Sequence, residues 1–591
     1  MPSFAAQQCL FRAYDIRGSR QHFTTDFVYA VGNAFAHLYR VANYHLEDSD
    51  VKNSATTQND SLNNHTGKNT DTTIVVIGYD MRFGSDAIAQ TLTNILTQHG
   101  LQVIQLGLIT TPMMAFWAEQ YQGHGIVVTA SHSAKDILGI KWLVNHKSPN
   151  SSEIQLLYQQ LTDNYSHSQR NAQDTPLNTL DIPVPTNQND ISGEQVIEVY
   201  IDAIVQVFRQ IYPTHKPHSN NYSSSNRLDL VVVIDCLHGA TSNIAQRLFD
   251  RFCRQIIMLN DTADGSFPFG NPDPTEPYRL RQLQQSVLHH QADIGIAFDG
   301  DGDRLMVVDN SGSVVIADHL LYLLAQVALA ERPTPLTDSS LTSQILFDIK
   351  CSHHLPKLLS ELGTVPVISK TGSSFMRQQM QHADSQILFA GELSGHFIFN
   401  DQRFIIYDDA MYAALRLLHW LAAADDINGN GKRSLTDITH CLPAMVNTAD
   451  HYLPMPTIPE SDCSFVEQLS RLCQYLRKLV EMAVEEDADD DLIQTGLPSL
   501  CRCSANRQRI TLEQARYLLP VGTKLSCIDG VRLDFANGFG VLRQSNTSHK
   551  LTARFAGDTL EDLKEIQAKF AALCHHFDKK LARQIATMPA E

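Results

Sequence analysis

Residues Asp299-Gly300-Asp301-Gly302-Asp303 set three carboxylates at alternate positions, spaced by glycines that permit sharp turns. Such a run can converge on one hard cation through oxygen ligands. Without a compensating cation, three clustered negative charges repel one another. An EF-hand does not fit, because Arg304 takes the sixth position and Asn310 the twelfth, and an apolar strand-like run precedes the loop. The remaining alternative is a tight turn carrying solvated aspartates. Arg304, beside the cluster, suits a phosphate oxygen better than a metal.

A second group is Thr129-Ala130-Ser131-His132, where a serine at the end of an apolar run stands next to a histidine. It could supply a nucleophile, although it is not the G-x-S-x-G elbow, and a Ser-His pair alone carries little weight. Gly139 and Lys141 downstream, together with the aspartate loop, give it its value. In a third loop Glu392, Ser394 and His396 alternate, offering a carboxylate, a hydroxyl and an imidazole to sugar hydroxyls or a phosphate. The competing reading is a helix N-terminus with Glu392 as its acid. Arg543-Gln544-Ser545-Asn546-Thr547 brings a guanidinium, two hydroxyls and an amide into five residues, a candidate phosphate cradle. A plain polar hairpin turn is its alternative. Arg12, Tyr14 and Arg17 precede the first strand and also suit a surface salt-bridge segment.

The elements that must carry these loops recur. IVVIGYD, LVVVID and QILFD are apolar runs that each end in an aspartate (Asp80, Asp235, Asp348). Each is followed by a helical stretch and a second apolar strand that runs into one of the first three loops. This alternation predicts α/β units with buried strands, and open α/β sheets bind ligands at the carboxyl ends of their strands. The expected architecture is four domains around a central cleft, three related α/β domains with mixed sheets and a C-terminal α+β domain. The boundaries read as 1–190 with the serine loop, 191–311 with the aspartate loop, 312–446 with the Glu-Ser-His loop and 447–591 with the arginine loop. In the last, KLSCIDGVRLDF, FGVLRQSN and KLTARF read as strands and a helix starts near Thr559. The polar stretches 47–73, 164–194 and 213–227 read as mobile surface insertions, since they hold too little apolar surface to offset their ordering entropy.

The net charge of −18 argues against nucleic acid as a partner. The densest acidic run, Glu485 to Asp491, reads as a solvated helix end or loop. Eleven cysteines without a CxxC pair, and with Cys501 and Cys503 lacking zinc-site spacing, read as free thiols in a reducing compartment. The most apolar segment, Leu320 to Ala330, is shorter than the about 20 residues a membrane span needs, and no secretory signal is visible at the N-terminus. A cytoplasmic enzyme with no membrane partner is the expectation.

Taken in order, FRAYDIRG, GYDMR (78–82), TTP (110–112), TASH, DGSFPFGNPDP (264–274), DGDGDR, KTG (370–372), GELSGH and RQSNT resemble the α-D-phosphohexomutase superfamily. Within it, the resemblance is to the bacterial phosphomannomutase/phosphoglucomutase group and spans nearly the whole chain. It implies that Ser131 carries a phosphoryl group and that Asp299, Asp301 and Asp303, with Ser131, bind Mg²⁺. It further implies that Glu392 and Ser394 read sugar hydroxyls and that Arg543, Ser545, Asn546 and Thr547 hold the unreacting phosphate. Tyr14, Arg17, Lys141, Arg304, Lys370 and His396 would line the cleft, with Lys141 or His396 as general acid/base. The implied reaction interconverts hexose 6-phosphate and hexose 1-phosphate, of mannose and also of glucose, in a monomer or weak dimer. Hexose 1,6-bisphosphate would serve as intermediate and activator. Ser133, Ala134 and Leu138 stand where the family has Asn, Pro and Asn, Ser373 follows KTG where close relatives often have His, and His549 replaces the usual Pro after the SNT turn. A phosphoglucosamine mutase, a non-catalytic sugar-phosphate-binding relative and a metal-dependent phosphatase are the competing readings.

Overall fold

The computed structural model describes residues 4–53, 72–171, 191–212, 227–332, 342–382, 384–423, 434–454, 465–484, 510–545, 550–575 and 577–590. Two compact units result: residues 1–335, 377–389 and 394–439 form the first, and residues 336–376, 390–393 and 440–591 the second.

The first unit opens with a five-stranded sheet. Its strands are β1 (Ile16–Ser19), β2 (Ile74–Tyr79), β3 (Gln102–Leu108), β4 (Gly125–Val128) and β5 (Ile137–Leu143), in spatial order β1-β5-β4-β2-β3. β2 runs parallel to β3 and β4, whereas β5 is antiparallel to both β4 and β1, so the sheet is mixed. Every residue of β4 is buried, which accounts for its unbroken apolar run. The helix Thr25–Asn53 packs Phe27, Phe35 and Tyr39, all fully buried, into the same core as Trp142. A second sheet, β6 (Leu228–Asp235), β7 (Cys253–Leu259), β8 (Ile294–Phe298) and β9 (Leu305–Asp309), has the order β7-β6-β8-β9. Here β6 is parallel to β7 and β8, and β9 is antiparallel to β8. This pattern reproduces β3-β2-β4-β5 of the first sheet. The serine loop leaves the carboxyl end of β4, and the aspartate loop leaves the equivalent end of β8.

The strands of the third repeat are shared between the units. β10 (Gln344–Asp348) and β11 (Val365–Ser369) pair in parallel in the second unit. Ile387–Phe389 of β12 (Ile387–Gly391), and β13 (Phe397–Phe399), belong to the first. The second unit ends in an antiparallel sheet of β14 (Val446–Asn447), β15 (His451–Pro454), β16 (Lys524–Ser526), β17 (Val531–Phe535), β18 (Gly538–Gln544) and β19 (Lys550–Gly557). β16 to β19 form a meander, and β14 and β15 both pair with β19. Helices Phe465–Val484, Leu560–His575 and Lys579–Ala586 contribute Leu472, Leu476, Leu479, Phe570 and Ile585 to a core shared with Leu533 and Phe555. Three α/β domains with mixed sheets and a C-terminal α+β domain are thus present.

Several expectations need correction. Each repeat holds an additional strand (β3, β7, β11) between its two apolar runs. These edge strands are partly exposed, as at Arg254 and Gln255 of β7. KLSCIDGVRLDF is two strands, β16 and β17, because Gly530 adopts φ +89° in the turn between them. The polar stretches expected at 47–73 and 164–194 begin inside helices Thr25–Asn53 and Ser151–Asn171, and the second also holds the start of helix Gly193–Ile211. Residues 54–71, 172–190 and 213–226, the acidic run 485–491, and Cys501 and Cys503 lie outside the described residues. The eight described cysteines form no disulfide with one another, and no described helix is long and apolar enough to cross a membrane.

Candidate active site

In the first unit, the aspartate loop folds back on itself. Asp299 Oδ1 accepts hydrogen bonds from the backbone N–H groups of Gly302, Asp303 and Arg304 at 3.0, 3.1 and 3.2 Å. Its other oxygen, Oδ2, accepts a 2.6 Å hydrogen bond from Ser131 Oγ. The solvated-turn alternative does not hold, since Asp299 and Asp301 are fully buried and Asp303 is 3% exposed. One ligand oxygen from each aspartate lies within 4.8 Å of the others, a spacing suited to one cation. Burial, with Asp303 and Asp301 alongside, holds the Asp299 carboxyl well above the usual carboxylate range. The cluster therefore calls for positive charge.

Lys141, on β5, supplies some of it. Its Nζ lies 2.7 Å from Asp301 Oδ2 and 2.6 Å from Asp303 Oδ2. Burial works against this ammonium, but Asp301 and Asp303 outweigh it and push the Lys141 pKa well above its ordinary value. For Asp303, burial is likewise outweighed, by Lys141 and His396, which hold it well below the usual range. His396 Nε2 stands 3.3 Å from Asp303 Oδ1, and its Nδ1 is 2.9 Å from Ser394 Oγ. Thr111 donates to Asp301 twice, through Oγ1 to Oδ2 at 2.5 Å and through its N–H to the carbonyl at 2.9 Å.

The serine loop is strained and clamped. Ser131 has φ +50°, an unusual conformation for a residue with a side chain. His132 Nδ1 lies 3.2 Å from Ser131 Oγ. Burial, followed by Arg304 and Arg17, holds His132 well below its ordinary pKa. Arg82, which forms an ion pair with Asp80 at 3.1 Å, donates to the carbonyls of Ser131 (2.5 Å), Ser133 (2.6 Å), Ala134 (2.7 Å) and Ile137 (3.3 Å). The Phe267 ring lies beneath its guanidinium at 4.8 Å. Gly300 permits close contact with this loop, since a Cβ there would lie 2.5 Å from the Ser131 carbonyl oxygen.

Arg17 is 3% exposed, pairs with Asp15 at 2.6 Å and donates to Ser133 Oγ at 3.3 Å. Serine at 133 thus gives this arginine a partner, and Leu138 is a buried core residue. Arg304 faces Asp273 at 3.8 Å, and Tyr14 acts electrostatically on both arginines. The Nε atoms of Arg17 and Arg304 are buried without a hydrogen-bond partner among the described residues.

In the second unit, Glu392 accepts a hydrogen bond from the Gly372 N–H in the KTG loop that begins with Lys370. Residues 392–396 link two strands rather than starting a helix, so the helix-cap reading of Glu392 is set aside. Arg543 Nε donates to Asp529 Oδ2 at 2.7 Å, and Asp529 also accepts from the Thr371 N–H at 3.2 Å. Ser545 N donates to the Lys550 carbonyl at 2.9 Å, closing the hairpin between β18 and β19. Asn546, Thr547 and His549 lie outside the described residues.

Sequence reasoning assigned no role to Asp80, Arg82, Thr111, Arg377, Asp408 or Asp529. Arg377 pairs with Asp408, donates to Ser148 Oγ at 2.8 Å and lies over the Tyr407 ring, while Asp408 Oδ2 stands 3.7 Å from His396. The GYDMR and TTP motifs were the available signal for the first three.

Comparison with known proteins gives a consistent picture. Residues 41–167, 198–312 and 317–444 match the families described as phosphoglucomutase/phosphomannomutase, alpha/beta/alpha domains I, II and III. The chain is 30% identical over 497 residues to a phosphomannomutase/phosphoglucomutase of Pseudomonas putida, covering 84% of this chain and 86% of the relative. It is 29% identical over 565 residues to one from Pseudomonas syringae pv. tomato, covering 95% and 94%. A solved structure of a phosphoglucomutase/phosphomannomutase family protein from Burkholderia thailandensis is 25% identical, with TM-score 0.67 and coverage of 98% and 99%.

Proposed function

This chain belongs to the phosphoglucomutase/phosphomannomutase family, and from that premise we propose that it interconverts hexose 6-phosphate and hexose 1-phosphate. Mannose and glucose phosphates are the proposed substrates, phosphoserine 131 the phosphoryl carrier, and hexose 1,6-bisphosphate the intermediate and activator. The observation that carries the reading is the 2.6 Å contact between Ser131 Oγ and a carboxylate of a buried aspartate trio.

The trio fits a hard divalent cation. Its donors are all oxygens, and Asp301 Oδ1 is buried without a hydrogen-bond partner among the described residues. Asp299, Asp301 and Asp303, with an oxygen of the phosphorylated Ser131, would hold Mg²⁺, which supplies charge neutralisation for phosphoryl transfer.

Phosphoryl transfer depends chiefly on positioning and charge stabilisation. The P–O bond to Ser131 Oγ breaks as a bond forms to the sugar hydroxyl. The hydroxyl loses its proton and Ser131 Oγ gains one. Lys141 and His396, which both lie against Asp303, are the candidate groups for these proton transfers. Arg17 and Arg304, each with a buried Nε that has no hydrogen-bond partner among the described residues, are suited to phosphate oxygens. By the family resemblance, Glu392 and Ser394 would read sugar hydroxyls and Arg543, Ser545, Asn546 and Thr547 would hold the unreacting phosphate, while Tyr14 and Lys370 are further proposed substrate-binding residues. After the intermediate turns over, the same steps run in reverse at the other phosphate. We place the enzyme in the cytoplasm as a monomer or weak dimer.

A coupled assay with mannose, glucose and glucosamine phosphates, reading both isomer and inorganic phosphate, tests this proposal. Isomer from mannose and glucose phosphates, with one phosphate of added mass that Ser131→Ala removes along with activity, supports it. Free phosphate as the main product would indicate a phosphatase, and binding without turnover a non-catalytic relative. Preference for glucosamine phosphate would change the substrate.

A further inference from the structure

Outside the candidate active site, the second unit brings two imidazoles and a carboxylate together. His353 and His354 lie in the segment that joins β10 to helix Leu355–Glu361, and Asp558 lies between β19 and helix Leu560–His575. The Nε2 atoms of His353 and His354 are 2.9 and 2.8 Å from the same oxygen, Asp558 Oδ1. Their rings are 3.9 Å apart between centroids and inclined at 38°. All three candidate donor atoms lie within 4.8 Å of one another.

We propose that His353, His354 and Asp558 bind a single divalent transition-metal ion of the imidazole-preferring class, with Zn²⁺ as the best fit. Two nitrogens and one carboxylate oxygen match a tetrahedral zinc site whose fourth position is taken by water. Mg²⁺ and Ca²⁺ favour oxygen donors, which distinguishes this site from the aspartate trio. An ordinary ion pair explains the geometry less well. His353 donates to Asp558 in good hydrogen-bond geometry, but His354 Nε2, equally close, is buried and has no hydrogen-bond partner among the described residues. A cation at this convergence would use both imidazole lone pairs together with the carboxylate.

The site is built in advance of any ion. Arg532, fully buried, donates to the carbonyls of Ile349 (2.5 Å) and Cys351 (2.6 Å), fixing the segment that leads to the histidines. The His354 N–H is held by Ser352 Oγ at 3.1 Å. On the other side, the Asp558 N–H donates to the Asn537 carbonyl at 2.9 Å. The Asp562 carboxylate is engaged with Thr559 and Asn537, so it adds negative potential without competing as a ligand. Asp534 is held by Arg532 and contributes likewise. An ion here would cross-link the third repeat to the C-terminal sheet.

The test uses the full-length protein, with Mg²⁺ in excess to occupy the aspartate trio, titrated with Zn²⁺ against a chelating indicator. One Zn²⁺ per chain is expected in the micromolar range or tighter. His354→Ala or Asp558→Asn should weaken it by more than the about 10–100-fold that even supporting residues cost at metal sites. The Co²⁺ form should show the visible absorption of a low-symmetry, nitrogen-ligated ion in the parent protein only. Near-UV circular dichroism checks that each variant is folded, and His353→Gln gives a third, milder substitution. Zn²⁺ affinity unchanged in all three folded variants, binding that disappears instead with Asp301→Asn, or no binding by the parent protein would each overturn the proposal.

Discussion

Arg82 Nη2 donates a 2.5 Å hydrogen bond to the carbonyl oxygen of Ser131, so the backbone of the proposed phosphoryl carrier is held by a guanidinium from another strand end. With its bonds to Ser133, Ala134 and Ile137, Arg82 supplies a restraint to a loop that lacks the proline common in the family. Arg82→Lys keeps the charge but loses the fork of donors. We expect kcat to fall by roughly 10–100-fold with little change in KM, the scale set by small misplacements of reacting groups. Steady-state kinetics check this, and a rise in KM with kcat intact would count against the clamp.

Asp301 accepts from both Thr111 and Lys141, and its Oδ1 has no hydrogen-bond partner among the described residues. Asp301→Asn is nearly isosteric and should cost at least about a hundredfold in turnover while leaving the fold intact. Removing divalent cations from the parent protein should lower its stability by about 2.7 kcal/mol relative to cation at a hundred times its Kd. That difference should be absent from Asp301→Asn. Thermal melts with and without chelator are the measurement.

Lys141 opposes a cation at the very carboxylates that would bind it. Lys141→Met should therefore strengthen divalent-cation binding about tenfold, a fraction of the about 4 kcal/mol between unit charges 4 Å apart at an effective dielectric of 20. Turnover should fall at the same time. Equal losses in cation affinity and turnover would contradict this arrangement.

His419 is packed among Phe208, Tyr212 and Phe252, with ring centroids 4.5, 4.6 and 5.3 Å away. Burial, reinforced by Arg416, pushes its pKa down to about 3. Below about pH 6.5 the unfolded chain binds a proton at this histidine that the folded chain does not, so stability falls as pH drops from that point toward 3. The slope from this group is at most about 1.4 kcal/mol per pH unit. His419→Phe should flatten the loss between pH 7.5 and pH 5, as read by unfolding at both values. An unchanged pH slope would rule out His419 as its source.

What could be read from the sequence followed from locality. The aspartate loop, the Ser-His pair and the Glu-Ser-His loop carry their chemistry in neighbouring residues, so type and spacing were enough to mark them. Arg82 reaches the Ser131 carbonyl across 49 positions, Asp80 accepts from the Ala130 N–H across 50, and Thr111 reaches Asp301 across 190. No local pattern encodes such pairings. Arg377 and Asp408 are 31 positions apart, and only folding brings Arg377 over the Tyr407 ring and Asp408 close to His396. Two of the edge strands carry residues that weaken a strand signal: β7 opens on exposed Arg254 and Gln255, and β11 contains Pro366. Glu392 was ambiguous because a carboxylate before a turn serves a helix cap and a strand connection equally well.

The absence of a side chain at Gly300 has a consequence for how this protein can be recombined. The turn after β8 abuts the Ser131 carbonyl so closely that even a methyl group would collide with it. The first two repeats are therefore keyed to each other at the atom level, and a chimera that takes one repeat from a relative must import the matching loop of the other to stay functional.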